Sequence, residues 1–579
     1  MQTITFFVFL PLMLVLMVVA FNENAHKRLL ENRWIQALEK RLVISERMYW
    51  LLFALIMTAG VFSRCWRFLE LPLGYNQDGL MAAVEAYCLL EGGVDQLGTS
   101  WPTYFEAWGF AQMSTLYSWL MIPFVSLLGT TKLALRLPML IMGLIMLPVV
   151  WDFARRMLGK GFALLALFVV AISPWHIVHC RWAVESNLLP HLLMLACYLL
   201  YLGRSNRWAL YGSMILFGFA PYAYGLACFS VPVILLSMAV YYVARRKVAI
   251  ADVLVCVVIF LGISGPFYYT MAINAFGLET VHLGPVTLPY FELSQRTMDM
   301  PFSQINPFAV MLSNVVDYVY SVLLGGFEQA MSAIDWAHTL YRFMPPLVVY
   351  AVYRMWRDRR KMVVCEEDSA RRDGMMLVLV WLAASLLSSL MIGFGVIRNN
   401  VSFFPLILVC AYGLYLLSCR LRTAAALAIA MLAVSFVGLN ATYFADREYQ
   451  QEVTHGVFHY GLVEALEDTW TWDYDEVYIG VGSSITSHKI AEAAIMFAHD
   501  IDYAGRSEQV ELLNAGGEPT GWYFTERYHL VNMQEFTPDP MACSLYIFGQ
   551  GDKYLFAEED YLITDYRNYA VAYPRYWPE

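Results

Sequence analysis

MYWLLFALIMTAGVFSRCWRFLELPLGYNQDGLMAAVEAYCLLEGGVDQLGTSWPTYFE, residues Met48–Glu106, joins an apolar run to a segment of opposite character. Its first part, 48–68, approaches the ~20 residues that cross a bilayer core. Its second part, Leu71–Glu106, has no Lys or Arg and carries Glu85, Glu91, Asp95 and Glu106 around an Asn76-Gln77-Asp78-Gly79 turn. A carboxylate-bearing loop that leaves a membrane helix is where chemistry at the bilayer surface would keep a base.

Working outward, the whole chain has the composition of a polytopic membrane protein. Of its 579 residues 59% are hydrophobic and only 15% charged, with mean hydropathy +0.51. Soluble domains run to roughly 25% charged residues. Spans are expected near 1–21, 48–68, 137–153, 161–177, 188–203, 208–222, 226–244, 249–270, 337–356, 374–393, 401–418 and 423–441, about twelve transmembrane helices. Met1–Phe21 lacks a basic start and a small-residue cleavage site, so an uncleaved first span is expected. No basic patch dense enough for nucleic acid exists outside short loops.

Those basic loops fix an expected orientation. Lys27, Arg28, Arg33, Lys40, Arg41, Arg47, Arg155, Arg156, Lys160, Arg204, Arg207, Arg245, Arg246, Lys247 and the cluster from Arg354 to Arg372 fall on alternate loops. By the positive-inside rule they face the cytoplasm. The first large loop (70–136), the second (271–336), the turn at 394–400 and everything after about 445 then face out. Phe110–Gly129 and 308–331 are apolar, but counting Phe110–Gly129 as a span would put Arg155 and Arg156 outside. Both segments are expected as interfacial helices.

Composition changes at about 445. Residues 445–579 hold 24 acidic and 7 basic residues. Strand-like runs at Glu476–Val481 and Ser544–Phe548 flank an amphipathic helix at Ser487–Ala498. This predicts 1–444 as the membrane domain and 445–579 as a small extracytoplasmic α/β domain without a chemical motif. The ten cysteines form no disulfide framework.

Ionisable groups at membrane depth are costly, and so are functional candidates. Beyond Asp78, three places stand out: Ser173–Arg181 with Glu185 and Asn187; Arg398-Asn399-Asn400; and the loop 271–342 with Glu279, His282, Glu292, Arg296, Asp335, His338 and Arg342.

Four blocks in order carry a resemblance: Pro72–Gly79, Tyr104–Gly109, Leu135-Arg136-Leu137-Pro138, and Ser173-Pro174-Trp175-His176 with Arg181. Together they resemble the bacterial branch of the dolichyl-phosphate-mannose–protein mannosyltransferase-like enzymes, polytopic glycosyltransferases of the GT-C fold. The resemblance implies transfer of a sugar from a polyprenyl-phosphate donor to an acceptor hydroxyl of a glycan, protein or lipid, at the outer face of a bacterial cytoplasmic membrane. It implies Asp78 as the base or an acceptor-binding residue, and general base is the reading taken here.

Glu106 is the second catalytic candidate. The substrate-binding candidates are Tyr75, Asn76, Gln77, Tyr104, Trp108, His176, Arg181, Glu185, Arg398 and Asn399, with Arg181 and Arg398 as phosphate contacts. Plainer readings stand beside these: Asp78 as a helix cap, Arg181 as an i,i+4 partner of Glu185, the histidines as packing groups and the aromatics as an interfacial belt. Many relatives have Asp-Glu where this chain has Asp78-Gly79, and a Lys where Gly109–Thr115 has none. No spacing argues for a bound metal, and a divalent cation on the carboxylates is left open. The rival functions are a lipid or glycan transporter or flippase, and an envelope-assembly scaffold of the same fold that has lost activity.

Overall fold

The computed structural model describes all residues except 110, 293–300, 327–329, 359–368, 455–456, 507–509, 514–518 and 576–579. Arg296, Phe110 and the middle of the Arg354–Arg372 cluster therefore lie outside the described residues.

A helix occupies each of the twelve expected places, from Gln2–Phe21 to Arg422–Ala445. Among the described residues nine helices are long and apolar enough to cross a membrane. Eight of these are expected spans. The ninth, Pro307–Leu324, was expected at the interface but qualifies as a crossing helix by length and composition. The chain is an integral membrane protein.

Local sequence explains where the helices break. The expected span 161–177 stops at Ala171, because Ser173 caps a new six-residue helix with Pro174 in its first turn. Proline is favoured there, having no N–H to leave unpaired. The expected helix 110–129 is also divided. Tyr104–Ala107 and Ala111–Ser114 pair as an antiparallel hairpin, and the helix begins only at Leu116 and ends at Leu128. Trp108 and Gly109 turn the hairpin with φ of +60° and +77°.

The first large loop contains a sixteen-residue helix, Gln77–Gly92. Asn76 starts it, its Oδ1 accepting from the Asp78 and Gly79 amides at 3.0 and 3.4 Å. Gly93 ends it in the left-handed conformation (φ +66°), the usual helix terminator.

The C-terminal part forms a seven-stranded mixed sheet. Glu476–Val481 lies at its centre, parallel to Ser544–Gly549 on one side and Tyr528–Asn532 on the other. Antiparallel strands close both edges. Helix His488–Ala498 packs between this sheet and helix Gln77–Gly92.

The docking is stitched by backbone and side chain alike. The His459 amide donates to the Tyr75 carbonyl (2.9 Å) and the Gln77 amide to the Val457 carbonyl (3.0 Å). The Thr130 hydroxyl donates to the Phe497 carbonyl (2.7 Å) and to Asp500. One continuous core runs from the membrane helices through this interface into the sheet.

Candidate active site

Two buried arginines shape the approach to the site. Arg136 donates to the carbonyls of Phe68, Leu69, Pro72 and Gly74 at 2.7–3.4 Å. Arg181 donates to those of Ser63, Arg64, Trp66 and Leu71 over the same range. Both side chains are essentially inaccessible. A guanidinium has five N–H donors and no acceptor, so two of them can hold an irregular segment by its carbonyls. The segment held here leads directly to Asp78. Arg181, expected as a phosphate contact, is thus packed beneath the loop.

Asp78, at the second position of its helix, opens into a cavity of about 660 Å³. Glu185, first residue of Glu185–Gly203, lines the same cavity and is only 6% exposed. Tyr104 and Trp108 enter from the hairpin, and Arg398, exposed, also lines the cavity. Arg398 is the single Lys or Arg among the described lining residues.

Asn399 holds the turn that presents Arg398: its Oδ1 accepts from the Gly395 amide at 3.1 Å, and its side chain is buried off the cavity. The structure therefore brings together five of the expected residues: Asp78, Tyr104, Trp108, Glu185 and Arg398.

The other candidates sit elsewhere. Tyr75 packs on Phe497 beneath the Lys132 ammonium, Asn76 is the helix cap, and Gln77 meets the C-terminal domain. His176 is fully buried in a chain of hydrogen bonds. Arg64 donates to its Nδ1 (3.1 Å), its Nε2 meets Nε2 of His191 (3.1 Å), and His191 Nδ1 donates to the Asn187 carbonyl (2.7 Å). Such a closed set of partners is structural. Glu106 lines a separate polar chamber beyond Tyr104.

The missing carboxylate after Asp78 has a steric reason. A Cβ at Gly79 would lie 2.9 Å from the Ala183 carbonyl oxygen. Glutamate does not fit there without a shift. Glu185, two residues beyond Ala183, supplies the second carboxylate of the cavity instead.

The apolar wall was not foreseen. Tyr224, Phe229, Tyr268, Met271 and Phe291 complete the cavity. Tyr224-Gly225 does leave a sequence signal, since it breaks Arg207–Ala223 from Ala227–Ala244. From this wall an apolar groove of about 300 Å³ runs between Ala227–Ala244 and Ile250–Phe276, lined by Leu235, Leu236, Ala239, Val253, Val257 and Phe260.

Phe260, which lines the groove, meets Tyr268, which lines the cavity, ring edge to ring at 6.3 Å. Leu236 and Val257 are 69% and 46% exposed, so the groove is open sideways. Eighteen residues separate Val253 from Met271, about 27 Å at 1.5 Å per residue and close to the ~30 Å hydrocarbon thickness.

Residues 113–269 match the family model described as dolichyl-phosphate-mannose–protein mannosyltransferase. Asp78 precedes the matched residues. No curated protein matches the chain. The crystal structure of ArnT from Cupriavidus metallidurans bound to undecaprenyl phosphate is similar with a TM-score of 0.51 and 12% identity, over 92% of this chain and 100% of that one. A weaker likeness, TM-score 0.46 and 14% identity, links 77% of this chain to 61% of the Archaeoglobus fulgidus oligosaccharyltransferase in complex with Zn and sulfate. The fold is GT-C, as the sequence resemblance implied.

Proposed function

We propose that this chain is a membrane glycosyltransferase that moves a sugar from a polyprenyl-phosphate carrier to an acceptor hydroxyl. The observation that carries the reading is one cavity holding Asp78, Glu185 and Arg398 at the head of an apolar groove. The matched family model and the fold support the same class. The cavity lies at the ends of Glu185–Gly203 and Ala227–Ala244 opposite Arg204 and Arg245. By the positive-inside rule it faces out of the cell.

In this reading Asp78 takes the proton of the acceptor hydroxyl as the acceptor oxygen bonds to the anomeric carbon. The bond from that carbon to the phosphate oxygen breaks, and the electron pair leaves with the carrier phosphate. A phosphate monoester dianion is a stable leaving group, so no general acid is required. A positioned base contributes roughly 10²–10⁴-fold. Arg398 holds the phosphate by charge-assisted, bidentate hydrogen bonds. Trp108, with its backbone in the left-handed region, and Tyr104 offer aromatic faces to a sugar ring.

Asp78 and Glu185 are the residues that would hold a divalent cation, one or two carboxylates plus phosphate oxygens being a usual Mg²⁺ set; it would neutralise charge on the phosphate.

The test is release of free polyprenyl phosphate from a panel of polyprenyl-phosphate sugars, with envelope extract as acceptor. Release by the wild type that disappears in a folded Asp78→Asn protein supports the reading. Equal release by both proteins removes Asp78 as base. No release from any donor favours the scaffold or transporter reading instead.

A further inference from the structure

Beyond Tyr104 lies a second chamber, of about 380 Å³, that the transfer reading leaves unused. Its walls are the loop Asp95–Ser100, the strand Tyr104–Ala107 and the hairpin formed by Val281–Leu283 and Val286–Leu288. The walls are fastened to one another. The Thr103 amide donates to the Thr287 carbonyl (2.9 Å), the Ser100 hydroxyl to the Pro285 carbonyl (2.9 Å), and the Phe291 amide to Asn274 Oδ1 (2.9 Å). The space is therefore preformed.

Its chemistry is specific. Asp95 and Glu106 are carboxylates, His282 stands at the exposed rim with Nδ1 3.1 Å from the Thr287 hydroxyl, and Ser100, Thr280 and Tyr290 add hydroxyls. No Lys or Arg is among the described lining residues. An anionic ligand would meet two carboxylates with no cation to balance it. An apolar ligand would displace water from the Glu106 carboxylate and the rim polar groups without replacing its hydrogen bonds, at a cost of roughly 1–3 kcal/mol each. A polyhydroxylated, uncharged or amine-bearing group satisfies them. The rings of Tyr104 and Phe291, packed edge-on at 6.3 Å, supply the apolar face that the C–H side of a pyranose needs. These two residues line the Asp78 cavity as well.

We infer that this chamber binds the acceptor as a neutral or amine-bearing saccharide, with Glu106 and His282 as its recognition residues and the Tyr104–Phe291 wall directing it toward Asp78. The inference rests on the transfer reading for the word acceptor. It excludes phosphate-bearing acceptors from this chamber, a choice that composition and topology left open.

The test is saturation-transfer NMR on the full chain in detergent, with glucosamine, N-acetylglucosamine and sn-glycerol 3-phosphate as probes. At least one sugar gives a signal and glycerol phosphate gives none. Glu106→Gln weakens sugar binding roughly tenfold, as loss of a charged hydrogen-bond partner does. Thr280→Trp, at an exposed rim position that avoids the core, abolishes the signal by filling the mouth. Absence of any sugar signal, a glycerol phosphate signal of equal strength, or sugar binding unchanged in both variants overturns the inference. Carrier release is measured separately, so a protein that binds sugar here but releases no carrier disproves the transfer reading and leaves the chamber.

Discussion

Arg181 and Arg398 look alike in the sequence, each beside the end of a span, yet they end in opposite environments. Arg181 is sealed under the first large loop on four carbonyls, while Arg398 is exposed at the cavity. The sequence carried no signal for this difference, because the partners of Arg181 are backbone atoms over a hundred residues away. Arg181→Gln is expected to cost several kcal/mol and to appear as lost folded yield, since buried carbonyls are left unpaired. Arg398→Ala is expected to keep the unfolding midpoint and to weaken polyprenyl phosphate binding roughly 10- to 100-fold. Normal carrier affinity in a folded Arg398→Ala protein refutes its assignment.

Asp95 gives a second residue-scale prediction. Burial raises its carboxyl to about 6, helped by the negative field of Glu106 and opposed by hydrogen bonds from the Leu97 and Thr99 amides. Neighbouring Glu85 moves the same way, with burial the main cause. The folded protein then holds a proton that the unfolded chain has already released. The stability that Asp95 contributes is therefore full below about pH 4 and is lost as pH rises to 6. That loss is at most roughly 3 kcal/mol. Thermal unfolding in detergent from pH 4.5 to 7 should show a decline that Asp95→Asn flattens. Parallel curves for the two proteins would refute it.

At the scale of elements, legibility followed length. Long apolar runs announce helices unaided, and so eight of the twelve expected spans were readable as crossing helices. The hairpin Tyr104–Ser114 was not, because each strand has four residues and the apolar stretch after it continues smoothly into a helix. The groove was also invisible: its stripes on Ala227–Ala244 and Ile250–Phe276 are ordinary lipid-facing residues until the two helices are seen side by side.

The combined length of groove and cavity argues for a long isoprenoid chain running from the cavity across the bilayer. Leu236→Trp with Val257→Trp, both at exposed positions, should fill the groove without disturbing the core. Affinity for undecaprenyl phosphate is expected to fall roughly tenfold, a loss of about 1.4 kcal/mol, while farnesyl phosphate binds as before. Equal losses for both lipids would place the long chain elsewhere.

At the scale of the whole molecule, the C-terminal domain was legible as an α/β unit but its purpose was not, because its contacts join residues nearly four hundred positions apart. It grips the segment that carries Asp78, through Tyr75, Gln77 and the Asn76–Phe458 bridge. Gly74 lies at the tightest point of that grip. Its φ is +73°, and a Cβ there would stand 2.7 Å from the Tyr460 amide nitrogen. Since the obstacle is backbone, it cannot rotate aside as a side chain would. Gly74→Ala therefore strains its own conformation and wedges the two parts from each other.

If the domain positions the base, Gly74→Ala should lower carrier release although Gly74 is not among the cavity's lining residues. The same substitution should expose the segment around 446–460 to limited proteolysis, with the membrane helices still folded by circular dichroism. Release and protection must fall together. Full release with the domain loosened would mean that Asp78 is set by Asn76, Arg136 and Arg181 alone, and that the C-terminal domain serves some other end.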